Sequence, residues 1–262
     1  HPPQNMKITI LQQDIIWASP EANCLAADTA IEARPGSDIY VLPEMFSTGF
    51  ATKPAGIAEA KGYSLAWMRR KAADTGAAVC GSVATKDDGR YYNRFYFVEP
   101  DGKVTSYDKR HLFTYGGEDK TFTAGQRRPV ITFRGLRILP QICYDLRFPA
   151  FARNGRYGTP DNYDLIIYVA SWPQSRRLAW DMLLRARAIE NQCFVAGVNR
   201  VGRDPGNVYD GGSAVIDPWG NTLSSCTDGK VSSATAELDL SALDAFCKTF
   251  PVLNDRDDFS LD

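Results

Sequence analysis

The sequence predicts an α/β fold in which helices cover the outside of a mixed sheet. Three observations carry this. Short β-rich segments alternate with segments of helical spacing, which is the pattern of strands fed by helices. Hairpin turns interrupt that alternation, so the sheet is mixed rather than wholly parallel. Hydrophobic residues make up 44% of 262 residues, enough to fill a substantial core.

The elements follow in order. "MKITILQQDI" alternates as a strand, "SPEANCLAADTAIEAR" has helical spacing behind a Ser-Pro start, and "SDIYVLPE" is a short apolar strand that delivers Glu44. The helix "SLAWMRRKAADTG" then precedes the strand "AAVCGSVAT". "YYNRFYFVEPDGKVTSYDK" reads as a hairpin turned at Asp-Gly. "LRILPQIC" is a strand ending at Cys143, and Pro140 within it removes a ladder amide and suggests an edge or a bulge. "DLIIYVA" is a further strand. The helix "RLAWDMLLRARAIEN" leads into the strand "QCFVAGVNR", and "GGSAVIDPWGNTLSS" is a second hairpin. The final "FPVLNDRDDFSLD" reads as a solvated tail. No repeat or long linker divides the chain, which predicts one domain over 6–262, with "HPPQN" at 1–5 a remnant foreign to the fold.

Composition removes several functions. Thirty basic and thirty-one acidic residues leave a net charge of -1, without a basic block to track a phosphate backbone, which argues against a nucleic-acid partner. No apolar run approaches the roughly 20 residues of a membrane span, so no membrane is expected. Six scattered cysteines in a chain too large to need staples point to a reducing, cytoplasmic setting. With His1 in the remnant, His111 stands alone, and no Cys-x-x-Cys pair replaces it, so no metal site is expected. Neither Gly-x-Gly-x-x-Gly nor Gly-x-x-x-x-Gly-Lys is present. No cofactor is expected, and side chains must do any chemistry unaided.

Free cysteine is among the most buried residue types, so Cys143 needs companions before it reads as a nucleophile: a base, an oxyanion donor and a field favouring its thiolate. Glu44 opens a Gly-containing loop after one strand, Lys109 follows another, and Cys143 ends a third. Each reads singly as a solvated or packed side chain, but strand ends commonly converge at one sheet edge. Carboxylate, ammonium and thiol meeting there make an acyl-transfer site. His111, two residues from Lys109, offers the ordinary cysteine–histidine alternative for the base. Asp145 and Arg147 are expected to pair and shape the turn after Cys143.

At these residues the chain resembles the nitrilase, or carbon–nitrogen hydrolase, superfamily. "LPEMFSTGF", "YDKRHLF" and "ICYDLRFP" are similar to that family's glutamate, lysine and cysteine blocks in order, and "YVASWP" and "RARAIENQCFVAGVNRVG" to its later ones. The resemblance implies a four-layer α-β-β-α sandwich that assembles as a homodimer or higher homo-oligomer. It assigns the base role to Glu44 and implies a second glutamate, for which Glu118 in "YGGEDKTF" is the candidate, positioning the amide or water. The Lys109 ammonium and the Tyr144 backbone amide are then the oxyanion donors.

The "SWP" and "RILP" contexts look most like the bacterial omega-amidase branch. That implies a small-molecule substrate: the ω-amide of a dicarboxylic acid such as 2-oxoglutaramate or 2-oxosuccinamate. Nitriles or N-carbamoyl amino acids are the enzymatic alternative, and a binding module that kept the fold is the non-enzymatic one. Arg176 and Arg177 in "SWPQSRRLAW" are the candidates for reading the substrate carboxylate, with Trp172, Phe46 and Phe113 as apolar walls.

Overall fold

Every consecutive residue of the central strands at 39–41, 165–170 and 194–199 is buried, which requires something packed on both faces of each sheet. The computed structural model describes residues 5–60 and 62–261. Along the chain lie β1 (Met6–Gln12), α1 (Pro20–Glu32), β2 (Ile39–Val41), α2 (Tyr63–Thr75), β3 (Ala78–Asp87), β4 (Arg90–Val98) and β5 (Val104–Asp108). Then come β6 (Ile131–Phe133), β7 (Leu136–Ile142), a 3-10 turn over Cys143–Arg147, and α3 (Pro149–Ala152). The remainder is β8 (Leu165–Ala170), α4 (Arg177–Asn191), β9 (Phe194–Asn199), β10 (Val201–Arg203), β11 (Val208–Asp210), β12 (Ala214–Ile216), β13 (Thr222–Ser225), β14 (Ser232–Leu238) and α5 (Leu240–Thr249).

Two six-stranded sheets result, in the orders β14-β1-β2-β3-β4-β5 and β13-β12-β9-β8-β7-β6, beside a small β10-β11 hairpin. Leu165, Ile167 and Val169 of β8 face a core shared with Ile8, Ile10 and Val41 of the other sheet, while Ile166, Tyr168 and Ala170 face Trp180 and Leu184 of α4. On the opposite outside, Tyr40 and Val79 meet Cys24, Ala27 and Ile31 of α1 and Trp67 and Met68 of α2. The layers therefore run helix, sheet, sheet, helix, the four-layer sandwich expected.

β1, β2 and β3 are parallel, and two antiparallel steps through β4 return β5 to their direction. β7, β8 and β9 are parallel in the second sheet. This topology decides where the residues after β2, β5, β7 and β8 emerge.

Two local expectations change. β6 pairs only with Leu136–Ile138, so Pro140 lies in an interior strand, on a stretch with no neighbour along that side. The C-terminal stretch is not a free tail: Leu253 is fully buried, Arg256 Nη1 donates to the Asn154 carbonyl at 3.0 Å, and Asp258 pairs with Arg156 at 2.6 Å. Of the stretch at 1–5, residues 1–4 lie outside the described residues, and Asn5 donates to Glu237 at 2.6 Å.

Candidate active site

Glu44, three residues past β2, is fully buried, and both oxygens of its carboxylate are met by donors. Lys109 Nζ reaches Oε1 at 2.9 Å, Asn93 Nδ2 reaches Oε1 at 2.8 Å, and the Ser171 N–H reaches Oε2 at 2.9 Å. Lys109 follows β5 directly and is equally buried. Its ammonium also meets Glu118 Oε2 at 2.8 Å and stands 5.4 Å from the Phe50 ring centroid. Glu118 is held by the Phe113 N–H at 2.8 Å and by Asn93 Nδ2 at 3.1 Å, and it reaches the site through Lys109. Two carboxylates around one ammonium would be costly to bury unpaired, and the three donors supplied by Asn93, Ser171 and Phe113 offset that cost.

The Cys143 thiol faces this cluster from the second sheet. The residue opens the 3-10 turn with φ at 45°, in the left-handed region that a side-chain-bearing residue seldom occupies. Burial and then the Glu44 charge push the thiol well above its ordinary range, and the Lys109 charge and the Ser171 N–H only partly oppose them. A thiol raised in this way needs a base beside it to attack. Burial acts to lower Lys109, but the charges of Glu118 and then Glu44 outweigh it and hold the ammonium above its usual value. Glu118 is raised, by burial first, against the pull of Lys109.

A model of the carbon–nitrogen hydrolase family matches residues 7–247. The chain belongs to the carbon–nitrogen hydrolase family. This hydrolase is 44% identical to "Omega-amidase YafV" of Yersinia enterocolitica over 257 residues, covering 98% of each chain. It is 35% identical to "2-oxoglutaramate amidase" of Bacillus subtilis over 254 residues, covering 95% of this chain and 96% of that one. Its fold is similar to that of a CN-hydrolase superfamily protein from Xanthomonas campestris whose crystal structure carries an arsenic adduct in the active site. That match has a TM-score of 0.95 at 40% identity, covering 99% of this chain and 100% of the other.

In the hydrolase a cavity of about 330 Å³ opens over Cys143, with Glu44, Lys109, Tyr144 and Ser171 at its floor. Tyr144 is the second residue of the 3-10 turn, where backbone N–H groups have no partner within the turn. Trp172 and Phe113 line the walls. Phe46 does not: it packs behind the site against Trp67, with ring centroids 5.8 Å apart, because the turn at Glu44 sends it to the α1–α2 side. The arginine pair also divides. Arg176 lines the cavity with its guanidinium 5.6 Å from the Phe113 centroid. Arg177 is turned away and tied to Asp181 at 2.8 Å, Asp228 at 2.9 Å and Asp210 at 3.2 Å.

A second guanidinium takes its place. Arg147 does not pair with Asp145 but lines the cavity, 5.0 Å from the Trp172 centroid. Among the described residues neither Arg147 nor Arg176 forms an ion pair. Asp145 instead binds His111 at 2.8 Å, and the imidazole is stacked on Phe148. Sequence reasoning missed Asn93, Ser171 and the aromatic walls Trp17, Phe50 and Tyr209. Asn93 carried a faint signal as the lone amide within the aromatic strand "YYNRFYFV".

Proposed function

We propose that this hydrolase releases ammonia from the ω-amide of small dicarboxylic acids, of the 2-oxoglutaramate and 2-oxosuccinamate type, through a thioester on Cys143. The observation that carries the reading is the Cys143 thiol beside Glu44 and Lys109 in the lining of a cavity that also holds two guanidiniums, those of Arg147 and Arg176, without acidic partners among the described residues. A relative named omega-amidase and one named 2-oxoglutaramate amidase, each matched over nearly the whole chain, support the substrate class.

In this reading the sulfur of Cys143 adds to the amide carbonyl while its proton passes to Glu44. The carbonyl becomes an oxyanion, met by the Lys109 ammonium and the Tyr144 N–H. Collapse breaks the C–N bond, Glu44 returns the proton to the leaving nitrogen, and ammonia departs. Water then adds to the thioester, giving its proton to Glu44. The C–S bond breaks, the carboxylic acid is released and the thiol recovers its proton. Glu118 and Asn93 hold Lys109 and Glu44 for both half-reactions. Arg147 or Arg176 binds the distal carboxylate through the planar fork of its guanidinium.

The test is ammonia release from ω-amides, nitriles and N-carbamoyl amino acids, with mass spectrometry for the acyl adduct. A dicarboxylic ω-amide is expected to give the highest kcat/KM and an acyl mass on Cys143. Preference for a nitrile or a carbamoyl amino acid overturns the substrate class, and no turnover with no adduct leaves a binding module.

The reading extends to a cytoplasmic homodimer. Six free cysteines support a reducing compartment. The exposed Leu178, Met182 and Ile189 of α4 support a partner on that helix. Light scattering in solution reads the assembly directly.

A further inference from the structure

Asp145 is fully buried, does not line the cavity, and has no part in the reaction above. Both of its oxygens are nonetheless occupied, by donors from two separate segments. Oδ1 accepts from the His111 N–H at 3.1 Å and lies 2.8 Å from His111 Nδ1. Oδ2 accepts from the Tyr107 hydroxyl at 2.7 Å and from the Ile142 N–H at 2.9 Å. Burial, and then the Asp145 charge, hold the Tyr107 phenol well above its ordinary range, so it remains a donor. With a carboxylate as acceptor, the His111 hydrogen sits on Nδ1.

The positions of these donors matter more than their number. Tyr107 and His111 flank Lys109, two residues to either side. Ile142 and Asp145 flank Cys143. One carboxylate therefore ties the segment that carries the ammonium to the turn that carries the thiol. The tie also reaches the turn's exit, because the His111 ring stacks on Phe148 with centroids 4.0 Å apart and planes 4° from parallel. It meets Phe151 edge-on at 5.3 Å. Cys143 itself holds a left-handed φ, a conformation that persists only where the surroundings over-determine it. The bond from Ile142 to Asp145 spans that residue.

We propose that Asp145 is a positioning residue, with His111 and Tyr107 as its hold on the lysine segment, and that it fixes the Cys143 sulfur relative to the Lys109 ammonium. The inference rests on the roles given above to Cys143 and Lys109. It assigns His111 a hydrogen bond to hold and no proton to transfer.

The test compares His111→Leu with His111→Asn in the full chain. Leucine keeps bulk and loses the donor, whereas asparagine keeps an N–H near the position of Nδ1. A misplacement of about 1 Å costs roughly a hundredfold in rate. His111→Leu is therefore expected to lower kcat about ten- to a hundredfold with KM within about twofold, and His111→Asn to recover most of that loss. Tyr107→Phe, which removes one donor, is expected to give a smaller loss of the same kind. Cys143 alkylation by iodoacetamide is measured in parallel, since it needs no amide substrate. It should slow in His111→Leu, as Lys109 moves away from the sulfur, and recover in His111→Asn. Equal kcat and equal alkylation in the parent and both variants overturn the proposal. So does a parallel loss in both variants that follows only their melting temperatures. A parent that turns over no ω-amide defeats the substrate reading alone, and the alkylation comparison still decides the role of Asp145.

Discussion

The backbone N–H of Ser171 donates to Glu44 Oε2 across 2.9 Å, a bond that joins the end of β8 in one sheet to the loop after β2 in the other. With Lys109 and Asn93 on Oε1, both oxygens of this carboxylate are met by donors. Glu44→Gln must then point its own NH₂ at another donor, whichever way the amide is turned. The variant should lose at least a hundredfold in kcat, the lower end of what a positioned base contributes, and melt a few degrees below the parent. Ammonia release and calorimetry on the same sample test this. Near-normal turnover would mean that the base lies elsewhere.

Arg147 and Arg176 are separable from Arg177. A charge-assisted hydrogen bond is worth about 1.5 to 3 kcal/mol, so Arg147→Met or Arg176→Met should cost roughly ten- to a hundredfold in kcat/KM for a carboxylate-bearing ω-amide. An uncharged amide of similar length should lose far less. Arg177→Met breaks three acidic contacts outside the cavity, and should lower the melting temperature while leaving the ratio between the two substrates unchanged. Equal losses on both substrates in both cavity variants would show that neither arginine reads the carboxylate.

Cys143 alone among six cysteines combines partial exposure with a place on the cavity, and the other five are buried. A limiting dose of iodoacetamide should therefore inactivate the enzyme through Cys143, as peptide mass mapping would record. Because burial and Glu44 raise this thiol, its alkylation rate in the free enzyme should keep climbing as pH rises past about 8.5, the ordinary thiol value. A plateau reached below neutral pH would instead mark a preformed thiolate.

Asn93→Asp places a third carboxylate against Glu44 and Glu118 with one ammonium among them. Like charges and burial raise the folded-state pKa of the new group above its unfolded value of about 3.9. The folded variant then holds that proton more tightly than the unfolded chain. Relative to the parent, its stability is best retained below the unfolded pKa and is lost as pH rises through the folded one. Melting curves of both proteins from about pH 4 to pH 8 check the sign.

Glu44, Lys109 and Cys143 were legible because each stands at the end of a strand, β2 and β5 of one sheet and β7 of the other, and all three reach one cavity. Glu118 was harder to read, since it sits on a loop whose path depends on the Phe113 N–H bond to its carboxylate. Asn93 was hidden for the opposite reason. It lies mid-strand in β4, where alternation says which face a residue takes but not what waits beyond it. Arg177 parted from Arg176, and Arg147 from its expected partner Asp145, because one or two steps along a tight turn send a side chain in another direction. Phe46 failed in the same way, two residues past Glu44. The walls from Trp17, on the loop after β1, and Tyr209, on β11, come from segments that no local pattern joins.

The bond from Ser171 to Glu44 closes a separation of 127 residues, and β14 at one end of the chain is zipped along β1 at the other. Such non-local closures carry a large entropic cost before they yield any contact energy, and they form late in folding. Each helix and hairpin can be complete while the reactive groups are still on separate, undocked halves. On refolding, recovery of helical signal should precede recovery of amidase activity. The last event in assembling the chain would also be the one that switches on its chemistry, so a half-folded molecule carries no exposed, armed thiol.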